Sequence, residues 1–441
     1  MLELALTSWS LALRRAAAAA AAGLVLVCGP SAAADERPLL AGARVTIAPS
    51  DTWDATVAYA EKTYPALFPG TPTVQTVGEA RSYRYANGNT IAFQGPQIYL
   101  AGPLVGTTTL TAYQSLDTFC TTTPAACGLT LRRVLTWQNL EREYFVYIPW
   151  TVQQSAGAVP AVMLLHGGGG SGSVPMDEWA WKPVADRDGF LLFAPSALRH
   201  CYLEDGNANG SFELETEYEL IAKWSTGPLG QPIRPLCTPA QYDTLISRGL
   251  ITPEQRARAE HPLADDIGAI RRFASIMVSD WGADARRLYV SGFSNGGEMA
   301  HRVAAEASDL FAAAASAAGT VLQTEFTWPV TPRPLSMVYS IGALNLRGQP
   351  VSTTQDIMAT HQDLSSRVDA LRAILGLTDA HSFSNRQIGA YDTGVYVYTT
   401  SSRPSPGGNA LYVGVMAGLE HAYPPVLPEV LWSFFRNQAL P

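Results

Sequence analysis

The chain has no run of lysines and arginines, no stretch of 18 or more apolar residues and no C-x-x-C pair. Without a basic run, and at a formal net charge of −8, it lacks the electrostatic footprint that nucleic acid requires, so nucleic acid is excluded as a partner. A membrane-spanning helix needs about 20 apolar residues in succession, and no membrane span is expected. The missing C-x-x-C spacing, with no histidine beside the first cysteine pair, argues against zinc. Only seven histidines occur in 441 residues, which narrows the search for a catalytic base.

What is present begins with Arg14-Arg15, an apolar run from Ala16 to Val27, and Ala32-Ala33-Ala34 ahead of Asp35-Glu36-Arg37. This is the pattern of a secretory signal peptide cleaved after Ala34. Residues 1–34 are expected to be removed and the mature chain to be secreted or periplasmic, where disulfides persist. Cys120 and Cys127 flank the Thr123-Pro124 turn, and Cys201 and Cys237 bracket one long insertion. Local pairing, Cys120 with Cys127 and Cys201 with Cys237, is the simplest connectivity.

Residues 35–128 are rich in Thr, Gly, Pro and Tyr. A helix over 53–64, ended by Pro65, and short alternating stretches at 81–85, 90–93 and 97–100 joined by Asn87-Gly88 and Gly95-Pro96 turns predict a small α+β accessory domain. Its Tyr64-Pro65 and Phe68-Pro69-Gly70, followed by a Tyr-rich hairpin, resemble a module attached to various exported bacterial proteins. Tyr and Trp in short strands are more often packing than binding residues, so a structural cap is preferred over a substrate- or partner-binding module.

From residue 129 the pattern changes. Leading strands at 131–137 and 143–148 precede apolar strands at 161–165, 190–194, 288–292, 311–318, 335–341 and 411–416, which alternate with helical segments. Such alternation predicts a mostly parallel sheet flanked by helices over 129–441. A polar stretch at about 198–262 interrupts it, and insertions of that length are usually functional, here a lid or pocket wall.

Gly292-Phe293-Ser294-Asn295-Gly296-Gly297 lies between an apolar strand and an Ala-rich helix. A serine at the centre of G-x-S-x-G in that setting is a nucleophile elbow, which makes Ser294 the attacking atom. The base should follow the last strand, where His421 stands in Gly418-Leu419-Glu420-His421. The other histidines sit less well: His301 inside the helix after the elbow, His361 at a helix start, His200 and His261 at the edges of the insertion. His166-Gly167-Gly168-Gly169-Gly170 follows a strand, and its glycines let the N–H groups of Gly167 and Gly168 approach a developing negative charge, with the N–H of Asn295 as second donor. His166 orients that loop.

These motifs, with Asp265-Asp266-Ile267, resemble the polyhydroxybutyrate depolymerase and feruloyl esterase group of α/β-hydrolases over residues 130 to 441. The resemblance implies an exported serine carboxylesterase that needs no cofactor and acts through an acyl-enzyme on hydroxyalkanoate polyesters or on phenolic and acetyl esters of plant walls. Asp265 and Asp266 are read as structural. One element departs: relatives carry G-x-x-D after the strand ending at Ile341, and here the spacing falls on Gly342-Ala343-Leu344-Asn345. Asn345 can hold the histidine tautomer but cannot stabilise an imidazolium, so activity would be weak unless the acid has moved to Glu325 or Asp356.

Asp205, Asn207, Asn209, Ser211 and Glu213 fit the first half of a calcium loop, with Thr216 where the bidentate glutamate belongs. The alternatives are a structural calcium bracing the insertion and an acidic solvated loop. Trp179, Trp181 and Trp224 are candidates for an aromatic pocket wall, against core burial. The missing aspartate also leaves a non-catalytic binding protein on the same scaffold as an alternative, and a serine peptidase as another.

Overall fold

The computed structural model describes residues 57–441 apart from 59, 62–67, 78–79, 95–96, 104–105, 112–127, 154, 156, 204–216, 228–233, 320–332, 349 and 401–408. The signal segment, most of the 53–64 helix, Cys120 and Cys127, the Asp205 to Glu213 loop and Glu325 lie outside the described residues. The chain divides into two compact units, Met1–Thr130 with Ile148–Gly157, and Leu131–Tyr147 with Ala158–Pro441.

In the first unit, β1 (Thr73–Val77), β2 (Ala80–Arg84), β3 (Thr90–Gln94), β4 (Gln97–Gly102) and β5 (Gly106–Thr111) pair antiparallel in chain order. Alternation turns one face of β2 and β3 inward, so that Tyr83 lies opposite Ile91 and edge-on to Phe93 at 5.9 Å. Tyr85 is buried, packs on Phe68 at 5.2 Å and donates to Glu61 at 3.0 Å. Between these strands Gly88 adopts φ +86, and Asn87 Oδ1 accepts the N–H of Asn89 at 3.1 Å. Tyr83 and Tyr85 are therefore packing residues.

The second unit is built on β6 (Leu129–Trp137), β7 (Leu140–Ile148), β8 (Val159–Leu165), β9 (Leu191–Pro195), β12 (Ala283–Phe293), β13 (Ala313–Ala317), β14 (Ser336–Gly342), β15 (His381–Ile388), β16 (Tyr391–Tyr398) and β17 (Leu411–Met416). Their order is β15-β16-β17-β14-β13-β12-β8-β9-β7-β6. From β9 through β8, β12, β13 and β14 to β17 the pairing is parallel, and β7 and β16 join antiparallel at either side. Strands such as Val159–Leu165 and Leu191–Pro195 are apolar along their length because parallel strands between helix layers have no wet face. This is the expected α/β-hydrolase fold, a mostly parallel sheet flanked by helices. The β15–β16 hairpin at one end is an addition that the apolar pattern did not reveal, since its residues are largely half-buried or exposed.

Among the described residues of the second unit the helices are α1 (Ser173–Glu178), α2 (Trp181–Asp188), α3 (Pro239–Ser247), α4 (Pro253–Ala259), α5 (Asp266–Ser279), α6 (Asn295–Glu306), α7 (Gln362–Leu375) and α8 (Leu427–Phe435). In α5 the residues Ile267, Ile270, Phe273, Ala274 and Met277 recur at helical spacing and are buried. The insertion is structured at both ends. It carries the antiparallel hairpin β10 (Arg199–Leu203) and β11 (Tyr218–Ala222), and then α3 and α4, each opened by a Thr-Pro-x-Gln capping box. Cys201 and Cys237 form a disulfide with Cα atoms 5.4 Å apart, as expected from their spacing.

Among the described residues one ion pair is wholly buried. Arg142 of β7 contacts Asp266 at 2.5 Å, with side chains 1 % and 0 % exposed, so each charge depends on the other. Asp266→Ala is expected to lower stability by about 3–5 kcal/mol through the uncompensated Arg142. Urea unfolding of the second unit checks this, and a loss below about 1 kcal/mol would contradict it.

Candidate active site

Ser294 stands where β12 turns into α6, with φ 53 and ψ −122, a conformation that costs a side-chain-bearing residue strain. Space leaves no other solution. A Cβ on Gly292 would fall on the carbonyl of Gly296, and one on Gly296 would fall on the carbonyls of Leu165 and His166. The N–H of Ser294 donates to Ala317 O at 2.9 Å, and its carbonyl accepts from Glu298 N at 2.9 Å. The Ala-rich β13 beside it follows from the same crowding, since Gly297 lies against Ser316.

The C-terminal ends of parallel strands bring the other groups to this point, as open α/β sheets generally do. His421 Nε2 is 2.9 Å from Ser294 Oγ. Asn345, on a short 3-10 turn after β14, places its amide nitrogen 3.1 Å from His421 Nδ1. The turn and the histidine loop are tied together, for Leu344 N donates to Leu419 O at 3.1 Å and a Cβ on Gly342 would overlap that carbonyl. The three side chains thus form a continuous chain from hydroxyl to imidazole to amide.

Asp356 does not join them. Its Oδ2 is 2.8 Å from His381 Nε2 and its Oδ1 accepts Met358 N–H at 2.9 Å, so the expectation that it reaches His421 is corrected. His381 belongs to β15, the edge strand three places from β14 in the sheet.

The glycine loop lies against the elbow: a Cβ on Gly167 would sit 3.4 Å from the Cβ of Ser294. The N–H groups of Gly169 and Gly170 are engaged by Ala222 O at 2.8 Å and Gly167 O at 3.1 Å. Among the described residues no backbone partner engages the N–H of Gly167 or Gly168. His166 is buried, its Nδ1 bonded to Gly167 O at 2.7 Å and its Nε2 accepting Ala197 N–H at 2.9 Å. That pair of contacts selects the neutral Nδ1–H tautomer, and burial holds its pKa down at about 4.

Of the two alternatives for the tryptophans, pocket wall and core burial, their burial matches the second. Trp181 is 0 % exposed, stacks parallel to Phe435 and meets Phe190 edge-on; Trp224 is 1 % exposed and donates to His166 O at 3.0 Å; Trp179 is 5 % exposed. All three are core residues, where a large ring contributes most by burial. Trp179 stacks at 4.2 Å on Tyr423, whose hydroxyl accepts from Trp181 Nε1 at 3.0 Å. Tyr423 is thereby the anchor of the His421 loop, a role visible in sequence only as an aromatic two residues after the histidine.

Asp265 caps α5 through Gly268 N at 2.8 Å and Asp266 holds Arg142, so both act in the scaffold. His361 caps α7 by accepting Leu364 N–H at 3.3 Å. His301 lies buried inside α6 and both of its ring nitrogens lack a hydrogen bond.

No protein-family model matches the chain and no curated protein matches it in sequence. Among solved structures it is similar to an acetyl xylan esterase from Aspergillus awamori, at 15 % identity over 70 % of this chain and 99 % of that one, with a TM-score of 0.41. It is similar to an S-formylglutathione hydrolase from Staphylococcus aureus, at 10 % identity over 70 % and 96 %, TM-score 0.36. A ferulic acid esterase gives 12 % identity over 70 % and 96 %, TM-score 0.35. Among the described residues no helix is long and apolar enough to cross a membrane.

Burial depresses His166 and His200 to about 4 and His301 to about 3. An unfolded histidine titrates near 6.5, so unfolding takes up protons once the pH falls below that value. The stability due to these neutral rings is complete above about pH 6.5 and is lost progressively toward about pH 4, at about 1.4 kcal/mol per pH unit for each proton. Urea midpoints should therefore fall between pH 7 and 5, and His301→Phe should flatten the slope. A midpoint independent of pH over that window would refute it.

Proposed function

We propose that this protein is an exported serine carboxylic-ester hydrolase working through an acyl-enzyme. The observation that carries the reading is the 2.9 Å contact between His421 Nε2 and a serine held at φ 53 on an elbow. Ser294 Oγ attacks the ester carbonyl while His421 Nε2 takes its proton. The N–H groups of Asn295 and of Gly167 or Gly168 receive the negative charge that forms on the carbonyl oxygen. His421 returns the proton to the departing alcohol, and water then releases the acyl group by the same steps. The motif resemblance favours a hydroxyalkanoate polyester or a feruloyl or acetyl ester as substrate.

Asn345 sets the efficiency. With its amide nitrogen toward Nδ1, His421 carries its proton on Nε2 and cannot accept one from Ser294. Rotation of the amide by half a turn offers its oxygen to Nδ1–H and frees Nε2 as a base, but provides no charge for the imidazolium. The same amide favours the alternative of a non-catalytic binder.

Hydrolysis of a short p-nitrophenyl ester separates the two. Wild type should turn over, and Ser294→Ala should lose at least about 10³-fold in kcat; no turnover by wild type would support the binder, and peptide cleavage alone a peptidase. Asn345→Asp should raise kcat by about 10-fold to 10⁴-fold by supplying the missing charge. An unchanged kcat would remove Asn345 from the catalytic chain. Comparing monomer release from a polyester film with ferulate release from arabinoxylan assigns the substrate class.

A further inference from the structure

We infer that Trp224 is a positioning residue for the oxyanion site, and that the return arm of the insertion is the brace through which it acts. This deepens the esterase reading and rests on it. The arm follows β11, and its consecutive residues bond on one side to the glycine loop and on the other to the elbow.

Toward the glycine loop, Ala222 O accepts the N–H of Gly169 at 2.8 Å, and the indole N–H of Trp224 donates to His166 O at 3.0 Å. The side chain of Lys223 lies against Gly168, where an added Cβ would be 3.2 Å from its Cε. Toward the elbow, the side chain of Asn295 grips the main chain of Trp224 from both sides. Its Oδ1 accepts Trp224 N–H at 2.7 Å, and its Nδ2 donates to Trp224 O at 3.3 Å. Next along the arm, Ser225 N donates to Asp266 Oδ2 at 2.7 Å, and Ser225 O accepts from Arg302 Nη1 at 2.5 Å.

Trp224 therefore bonds to both parts that supply oxyanion donors: the loop of Gly167 and Gly168, and Asn295. The two parts also pack directly on each other at Gly167 and Gly296, and Trp224 adds hydrogen bonds to both. An oxyanion site stabilises the transition state only if its donors converge on one point. Loss of a single donor costs about 10²–10³ in kcat, and a shift of 1 Å can cost about 10². At 1 % exposure the indole cannot touch substrate, so its contribution must come through geometry. Asn295 accordingly has two functions, its backbone N–H facing the oxyanion and its side chain fixing where that N–H lies.

Trp224→Phe keeps an aromatic ring and deletes the indole N–H. Steady-state hydrolysis of a short p-nitrophenyl ester should show kcat reduced by about 10-fold to 100-fold with KM changed less than about 3-fold. The affinity of a tetrahedral boronate or trifluoromethyl ketone inhibitor should fall in parallel with kcat/KM, while a product carboxylate binds as to wild type. A purely structural tryptophan would lower the urea midpoint and leave that split absent. Should Trp224→Phe not fold, Asn295→Ala, which retains the backbone donor and the indole, must show the same split. Active wild type with neither kcat nor inhibitor affinity altered in the variant would overturn this inference alone. Wild type inactive on every ester would overturn the esterase reading beneath it.

Discussion

The site depends on how closely β8, β12 and α6 approach one another at the elbow. Gly292 and Gly296 admit no side chain because backbone carbonyls already occupy the space a Cβ would need, and this proximity forces Ser294 to a positive φ. Such strain costs on the order of 1–3 kcal/mol and persists only where surrounding structure over-determines it. Here the parallel register of β12 between β8 and β13, and the Ser294 N–H bond to Ala317 O, supply that constraint. The reward is a hydroxyl presented above the sheet with a helix N-terminus behind it.

Buried polar groups hold the surroundings in register. His166 stays neutral with both ring nitrogens satisfied, linking the glycine loop to Ala197 after β9. Asp266 receives Arg142 from β7 and Ser225 N–H from the insertion, so a strand next to the sheet edge, a helix start and the insertion converge on one carboxylate. In a low-dielectric interior such contacts carry large penalties if broken, which makes them specific even where their net contribution to stability is modest. The insertion is thereby hydrogen-bonded into the framework around Ser294.

Asn345 stands out against this economy. Everything that places it is intact: the turn after β14, the Leu344 bond to Leu419 and the 3.1 Å approach to His421. What differs from a carboxylate is that the amide turns its nitrogen toward Nδ1 and carries no charge. In the esterase reading proposed above, orienting the histidine and supporting an imidazolium are physically separable contributions of a triad acid, and an amide can supply only the first.

By itself the sequence determined the elbow, the histidine after the last strand and the glycine loop, because each is a local pattern: small residues at fixed spacing beside apolar strands. It also determined the parallel sheet, through apolar runs buried on both faces, and the Cys201 to Cys237 bridge, through an insertion with a cysteine near each end. The two capping boxes of the insertion, Thr-Pro-x-Gln, open short helices whose polar surface carries no apolar periodicity. Only tertiary structure decided that Asp356 serves His381, that three tryptophans are core residues, and that Tyr423 and Trp224 anchor the loops of the site. Those assignments join residues up to 242 positions apart. An aromatic or a carboxylate has no periodicity that names its partner; the partner is chosen when strands far apart in sequence end at the same edge of the sheet.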